Sequence, residues 1–419
     1  MDIREITGVA DIILTGAAEK PDAEILVFEG RRITWAEMRE RAARVANALT
    51  ADGIGPRDRV AYLDKNGVEY FELAFGCSFI KAVAVAVNWR LAPPEMSYII
   101  NDAEATVLVI HEEFAGQLAA FEADLTHTTR IVVIGSHDTH VSYDEWRDAQ
   151  SSACDPLPPA GDDVSMQLYT SGTTGLPKGA QLTNDNFRAL FSVVEWQMDD
   201  DTRNMAVMPL FHIAGSGWAL FGMGSGATTI MTREFDPVAA LKLIEDEKVT
   251  HAIFVPAILQ FFLMVPSDGI DLTSMELIVY GASPITQDVL VKSMEQFGCE
   301  YMQVYGLTET TGVVTQLDPA DHDPGGPREN LLRSAGTDIN MPLALAIVAF
   351  LFIEIWGFKV HKLGYLKEFF RFGNPIQFFI GILELISHLI RLVSFTVDPE
   401  HDTAEVLAQY AKNHQADNA

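Results

Sequence analysis

Residues 169–180 read YTSGTTGLPKGA. Thr170, Ser171, Gly172, Thr173, Thr174 and Gly175 form an unbroken run of hydroxyl-bearing and glycine residues, and Lys178 follows behind Leu176 and Pro177. Glycine lets backbone N–H groups approach phosphate oxygens, hydroxyls donate further hydrogen bonds, and a lysine adds positive charge. A flexible Ser/Thr/Gly linker is the plainer reading, but such linkers seldom carry one embedded lysine immediately after an apolar, strand-like stretch. The run is read as a phosphate-handling loop. It is not a Walker sequence, which needs GxxxxGK followed by Ser or Thr.

Outward from this loop, short apolar runs at 60–63, 82–87, 107–110, 131–134, 227–231, 252–255 and 277–280 alternate with helical stretches. That rhythm predicts an α/β protein with largely parallel strands. Thr34 followed by Glu37 makes a capping box, after which Trp35, Met38, Ala42, Val45, Ala46 and Leu49 recur at helical spacing. Pro/Gly-rich segments at 156–161 and 319–327 are predicted surface loops. No internal repeat is present.

A chain of 419 residues suits two or three domains, and its formal net charge of −29 opposes any general attraction to nucleic acid or anionic lipid. A small-molecule substrate is expected instead. Cys77, Cys154 and Cys299 lie far apart and form no CxxC or Cys/His cluster, so neither a zinc site nor a disulfide framework is suggested. The N-terminus lacks the basic and long apolar regions of a secretory signal, and a cytoplasmic location is expected.

Three further motifs follow the loop: PLFHIAG at 209–215, YGASPI at 280–285 and YGLTET at 305–310. In content, order and spacing, the four resemble the AMP-forming acyl- and aryl-activating enzymes, which include acyl-CoA ligases, adenylation domains and firefly-type luciferases. The resemblance covers roughly residues 5–338 and is closest to fatty acyl-CoA synthetases. It implies the large N-terminal domain of that superfamily, with stacked mixed and parallel sheets flanked by helices. It also implies ATP and Mg²⁺ as cofactors and coenzyme A as co-substrate. Carried over residue by residue, Thr170 to Gly175 and Lys178 would close over the β- and γ-phosphates of ATP. Gly281, Ala282 and Ser283 would line the adenine, Tyr305 would stack on it, and Gly306 would belong to the same nucleotide site. Thr308 would hydrogen-bond the α-phosphate region and Glu309 would help hold Mg²⁺, a hard cation that prefers carboxylate oxygen. Lys178, Thr308 and Glu309 are thus the catalytic candidates.

His212 stands between Phe211 and Ile213, where a lone histidine is more often a satisfied core residue than a catalyst. In the resembled family this position abuts the acyl carboxylate, so His212 and Gly215 are expected beside the substrate, with no general-base role. Gly215, Gly217, Gly222, Gly224 and Gly226 accompany Trp218, Leu220, Phe221 and Met223. Such a glycine-thinned helix fits tight packing and the wall of an acyl tunnel equally well. With Phe254, Val255, Phe261 and Phe262, the tunnel reading favours a fatty acid over an amino acid.

The composition changes after Asp338. Residues 339–397 hold five Lys/Arg against three Asp/Glu, whereas the whole chain has 29 against 58. The TGD motif, whose aspartate would hold the ribose, and the C-terminal lid, whose lysine would contact the reacting carboxylate, do not follow in this sequence. Residues 339–397 instead resemble membrane segments of ATP synthase subunit a. They are expected to be hydrophobic, helical, of foreign origin and capable of membrane association through 341–397. Asp398 stands where that family would place a further arginine, so proton conduction is not implied. Residues 398–419 are a polar tail. A gene fusion or assembly artefact is one origin, and a ligase that acquired a hydrophobic tail is the other; the junction inside a domain favours the first. The expected activity is conversion of a fatty acid to its acyl-adenylate, impaired in this chain. The alternatives are a non-catalytic nucleotide- or acyl-binding remnant and a membrane-anchored fusion.

Overall fold

The computed structural model describes residues 1–170 and 176–326. It divides into a unit of residues 1–282 with 291–319 and a second of residues 283–290 with 320–419. Of the second, residues 283–290 and 320–326 are described. The expected membrane segment, its likeness to ATP synthase subunit a and the polar tail lie outside the described residues. Among the described residues no helix is long and apolar enough to cross a membrane.

The strands are β1 (Glu24–Phe28), β2 (Arg31–Thr34), β3 (Arg59–Leu63), β4 (Val83–Ala86), β5 (Ala105–His111), β6 (Arg130–Ile134), β7 (Val141–Ser142) and β8 (Val164–Thr170), followed by β9 (Lys178–Thr183), β10 (Arg203–Ala206), β11 (Thr228–Met231), β12 (His251–Phe254), β13 (Leu277–Gly281), β14 (Glu300–Tyr305) and β15 (Thr315–Leu317). They form two sheets, in the orders β15-β14-β13-β12-β10-β11-β1-β2 and β7-β6-β5-β3-β4-β8-β9. Pairing is parallel within each sheet, and the antiparallel pairs β1–β2, β8–β9 and β14–β15 lie at the edges. Parallel strands covered on both faces read as continuous apolar runs. Accordingly VAVA in β4 and LIVYG in β13 are buried at every position. Each apolar run singled out in the sequence falls on one of these strands. The fold is the expected α/β arrangement of mixed sheets flanked by helices.

The capping box forms as the sequence requires. The Glu37 N–H donates to Thr34 Oγ1 at 3.2 Å and the Thr34 N–H donates to Glu37 Oε2 at 2.9 Å. Helix Trp35–Ala51 then buries Trp35, Met38, Ala42, Val45, Ala46 and Leu49. It packs on helix Val68–Phe79, where a Cβ on Gly76 would meet the Ala42 carbonyl oxygen at 3.0 Å, so glycine permits the close approach.

Buried His251, in β12, carries a pH dependence. Burial pushes its imidazole down to about 4 from the ordinary 6.5. Between those values the unfolded chain binds a proton that the folded chain does not, so stability falls as pH drops through this window. The loss expected at pH 5 relative to neutral pH is about 2 kcal/mol. Urea titrations of parent and His251→Gln at pH 7 and pH 5 should show a smaller loss in the variant; equal losses would exclude His251 as the titrating group.

Candidate nucleotide and acyl site

A cavity of about 510 Å³ lies beyond the carboxyl ends of β12, β13 and β14, where open α/β sheets bind ligands. Thr170, at the end of β8, brings the other sheet to the same cavity. Its hydroxyl donates to Glu309 Oε1 at 3.1 Å. The phosphate-loop strand is thereby tied to the YGLTET turn, 139 residues later.

That turn is built from backbone. After β14 the chain passes Gly306 and Leu307 into a single 3-10 turn, Thr308–Thr310. Thr311 and Gly312 then adopt positive φ of 59° and 102°. The Leu307 N–H donates to Thr310 Oγ1 at 3.0 Å, the Gly312 N–H to the Leu307 carbonyl at 2.9 Å, and the Val314 N–H to the Tyr305 carbonyl at 2.8 Å. Two glycines are required by close approach. A Cβ on Gly306 would lie 2.1 Å from the Gly312 carbonyl oxygen, and one on Gly281 would lie 2.2 Å from that of Val304. Thr170, Thr308, Glu309 and Thr311 bring polar atoms to the cavity, whereas Leu190, Met208, Trp218, Ile253 and Phe254 line it with apolar ones.

Of the residues singled out in the sequence, Thr170, His212, Gly281, Ala282, Gly306, Thr308 and Glu309 line this cavity. Lys178 is exposed and stands opposite Thr170 across the β8–β9 pair, so the loop is the connection of a hairpin. Ser171, Gly172, Thr173, Thr174 and Gly175 lie outside the described residues. Ser283 is exposed and belongs to the second unit. Tyr305 is half-buried and does not line the cavity. Gly215 also stands back from it, because a Cβ there would lie 2.3 Å from the Pro209 carbonyl oxygen.

The glycine-thinned helix runs over Ile213–Gly224. Gly217 lines the cavity, while Gly222 gives room to Asn204 Nδ2 and Gly224 to Ile3. Val255 lines the cavity beside Phe254; Phe261 and Phe262 do not. His212 occupies the N-cap position of this helix, with its ring 4.4 Å from that of Phe211. Crowding by protein atoms pushes its imidazole below its ordinary value, and the Arg90 charge adds to the effect. A histidine kept neutral can donate or accept a hydrogen bond near a carboxylate without pairing with it as an ion.

Asn66 is a residue that the sequence did not advertise. It is buried, donates from Nδ2 to the Met208 carbonyl at 3.2 Å and accepts from the Leu210 N–H at 3.0 Å, holding the PLFHIAG segment against the end of β3. Burial raises all three thiols, Cys299 to about 12, so none is a ready nucleophile. Asp64, His111 and Glu113 bring possible metal-ligating atoms within 4.8 Å of one another. However, Arg233 donates to Asp64 at 2.7 and 3.1 Å and to Glu113 at 2.9 Å, and Lys65 pairs with Glu113. These carboxylates are already matched by cations.

Two mixed α/β sheets flanked by helices, with a mainly apolar cavity at their strand ends, match the N-terminal domain of the adenylate-forming enzymes. The chain belongs to the AMP-binding enzyme family, whose model matches residues 14–348, some way past Asp338. It is 37% identical over 331 residues to the fatty acid–[acyl-carrier-protein] ligase ScoC of Streptomyces coeruleorubidus, covering 76% of this chain and 61% of that protein. It is 33% identical over 294 residues to the long-chain-fatty-acid–CoA ligase FadD13 of Mycobacterium tuberculosis, covering 68% and 57%. The chain thus spans about three fifths of the length of the curated relatives it matches. Among solved structures, the inhibitor-bound N-terminal domain of FACL13 from Mycobacterium tuberculosis superposes with a TM-score of 0.70 at 30% identity, covering 75% of this chain and 79% of that one. The anthranilate CoA ligase AuaEII in complex with anthranoyl-AMP gives 0.72 at 26% identity, with 76% and 63% covered.

Proposed function

We propose that this chain binds ATP and a fatty acid and joins them as an acyl-adenylate, the first half of acyl-CoA synthesis. The observation that carries the reading is the Thr170–Glu309 hydrogen bond, which joins phosphate-loop and YGLTET residues in a cavity lined mainly by apolar side chains. A carboxylate seated there would attack the α-phosphorus, forming a C(O)–O–P bond as the bond to pyrophosphate breaks. Lys178 and the hydroxyls and N–H groups of residues 170–175 would take the β- and γ-phosphates, and Thr308 the α-phosphate. Gly281, Ala282, Ser283, Tyr305 and Gly306 would receive the adenine side, and His212 would lie near the acyl carboxylate. Glu309 makes no ion pair among the described residues, and one carboxylate together with substrate phosphates suits Mg²⁺, which would offset charge on those phosphates. Coenzyme A would be the acyl acceptor in the second half-reaction.

Pyrophosphate release from ATP with a panel of fatty acids tests the reading. Acid-dependent release supports it; ATP binding without release would favour the alternative of a non-catalytic nucleotide- and acyl-binding protein. Membrane anchoring through residues 341–397 is tested by fractionation, and recovery wholly in the soluble phase excludes it. Lys178→Ala is expected to weaken ATP binding about ten- to a hundredfold, the worth of a charge-assisted contact, with little change in melting because the side chain is exposed. Equal ATP affinity by calorimetry would remove Lys178 from the site.

A further inference from the structure

We propose that Trp196 sets the length of acyl chain the cavity accepts, by closing it off from a second hollow of about 420 Å³ beside the N-terminal segment. The proposal rests on reading the main cavity as an acyl-adenylate site. Among the described residues, Trp196 is the one that lines both spaces. It is 3% exposed, and its ring centroid lies 4.9 Å from that of Trp218 and 4.5 Å from that of Phe221. Phe221, Phe191 and Val194 continue as buried apolar walls of the second hollow, while Arg4 and Glu195, paired at 3.5 Å, stand exposed at its rim. Beyond the indole these three side chains give the methyl end of an alkyl chain an apolar wall to follow, in an open hollow whose other lining is polar.

The two tryptophans are held differently. Trp218 is on a helix and donates from Nε1 to the Met205 carbonyl at 3.0 Å, which fixes its ring. Trp196 lies in the irregular stretch after helix Asn184–Val193, next to Gln197 with φ of 54°, and its buried Nε1 meets no acceptor among the described residues. A buried donor without a partner is unfavourable, so polar bonding does not hold this indole in place; ring packing does. Its bulk is what ends the cavity, and removing that bulk joins the two spaces.

The test uses the full chain and a series of non-hydrolysable acyl-sulfamoyl adenosines from butyryl to palmitoyl, with affinity measured by calorimetry. For the parent, affinity should rise about four-fold with each added methylene until the chain reaches Trp196, and then stop rising or fall. In Trp196→Ala the rise should continue over several further carbons, and in Trp196→Leu, which keeps an apolar group against Trp218 and Phe221, over fewer. Butyryl affinity should match the parent in both variants, which also verifies folding should the alanine variant prove unstable. The same limit in parent and leucine variant, with butyryl binding intact, overturns the role of Trp196 while leaving the adenylate reading standing. Failure of the parent to bind any member overturns that reading and this proposal with it.

Discussion

Gly306→Ala is expected to lower affinity for ATP, and for an acyl-adenylate analogue, by about 100-fold, the penalty when a binding group moves by an ångström. The argument is steric and needs only one methyl group. A Cβ at Gly306 would stand 2.1 Å from the Gly312 carbonyl oxygen, 2.5 Å from its carbon and 2.8 Å from Val313 Cα. All three are backbone atoms, so no rotamer change relieves the contact. The strand or the turn has to move, and that turn carries Thr308, Glu309 and the Glu309 carboxylate that receives the Thr170 hydroxyl. Gly55→Ala is the control, because nothing lies within 4 Å of its added Cβ. Calorimetry on the parent and both variants checks the result. An unchanged affinity in Gly306→Ala would mean that the Leu307–Gly312 turn does not position the nucleotide.

Local patterns carried much of this architecture. The apolar runs found their strands because parallel strands buried on both faces leave an unbroken signature, and the Thr34–Glu37 capping box closed because its partners are three residues apart. Other elements left no such trace. Strand β10, RNMA, is short and holds Asn204 fully buried, while β9, KGAQLT, has only Leu182 fully buried and pairs at a sheet edge. At the site, motifs pointed to Thr170, Gly281, Gly306, Thr308 and Glu309, but not to Asn66 or Trp196. Those two act across long sequence separations, Asn66 on Met208 and Leu210, and Trp196 against Trp218 and Phe221. Nothing in their immediate neighbours marks them. Gly215 carries a constraint that its motif did not reveal: the Pro209 carbonyl occupies the space that its missing side chain leaves.

Glu72→Leu is expected to cost about 2–3 kcal/mol of folding stability, the range for buried donors, charged ones among them, that lose a shared acceptor. Glu72 is fully buried on helix Val68–Phe79, and its carboxylate accepts from three donors. Arg41 Nη1 donates to Oε1 at 3.1 Å, and Arg147 Nη1 and the Tyr143 hydroxyl donate to Oε2 at 3.0 and 3.1 Å. Burial, reinforced by the Glu72 charge, pushes the Tyr143 phenol far up, so it remains protonated and donating. Leucine would remove the acceptor for all three; the Arg147 side chain, 7% exposed, keeps its pairs with Asp148 at 2.7 and 3.0 Å and Asp144 at 2.9 Å but loses the partner of its Nη1. Arg41 reaches water more readily at 29%, so Arg147 bears the larger penalty. The double variant Glu72→Leu with Arg147→Met should therefore recover part of the loss, giving a coupling of at least about 1 kcal/mol in a double-mutant cycle. The site should register the damage as well, because the same helix begins two residues after Asn66, which holds the cavity-lining Met208 segment. Urea titration of the parent, the single variants and the double variant measures all of this. A loss below about 1 kcal/mol for Glu72→Leu would show that Asp144, Asp148 and water satisfy Arg147 when the carboxylate is gone, and that the buried cluster does not hold helices Trp35–Ala51, Val68–Phe79 and Tyr143–Asp148 together.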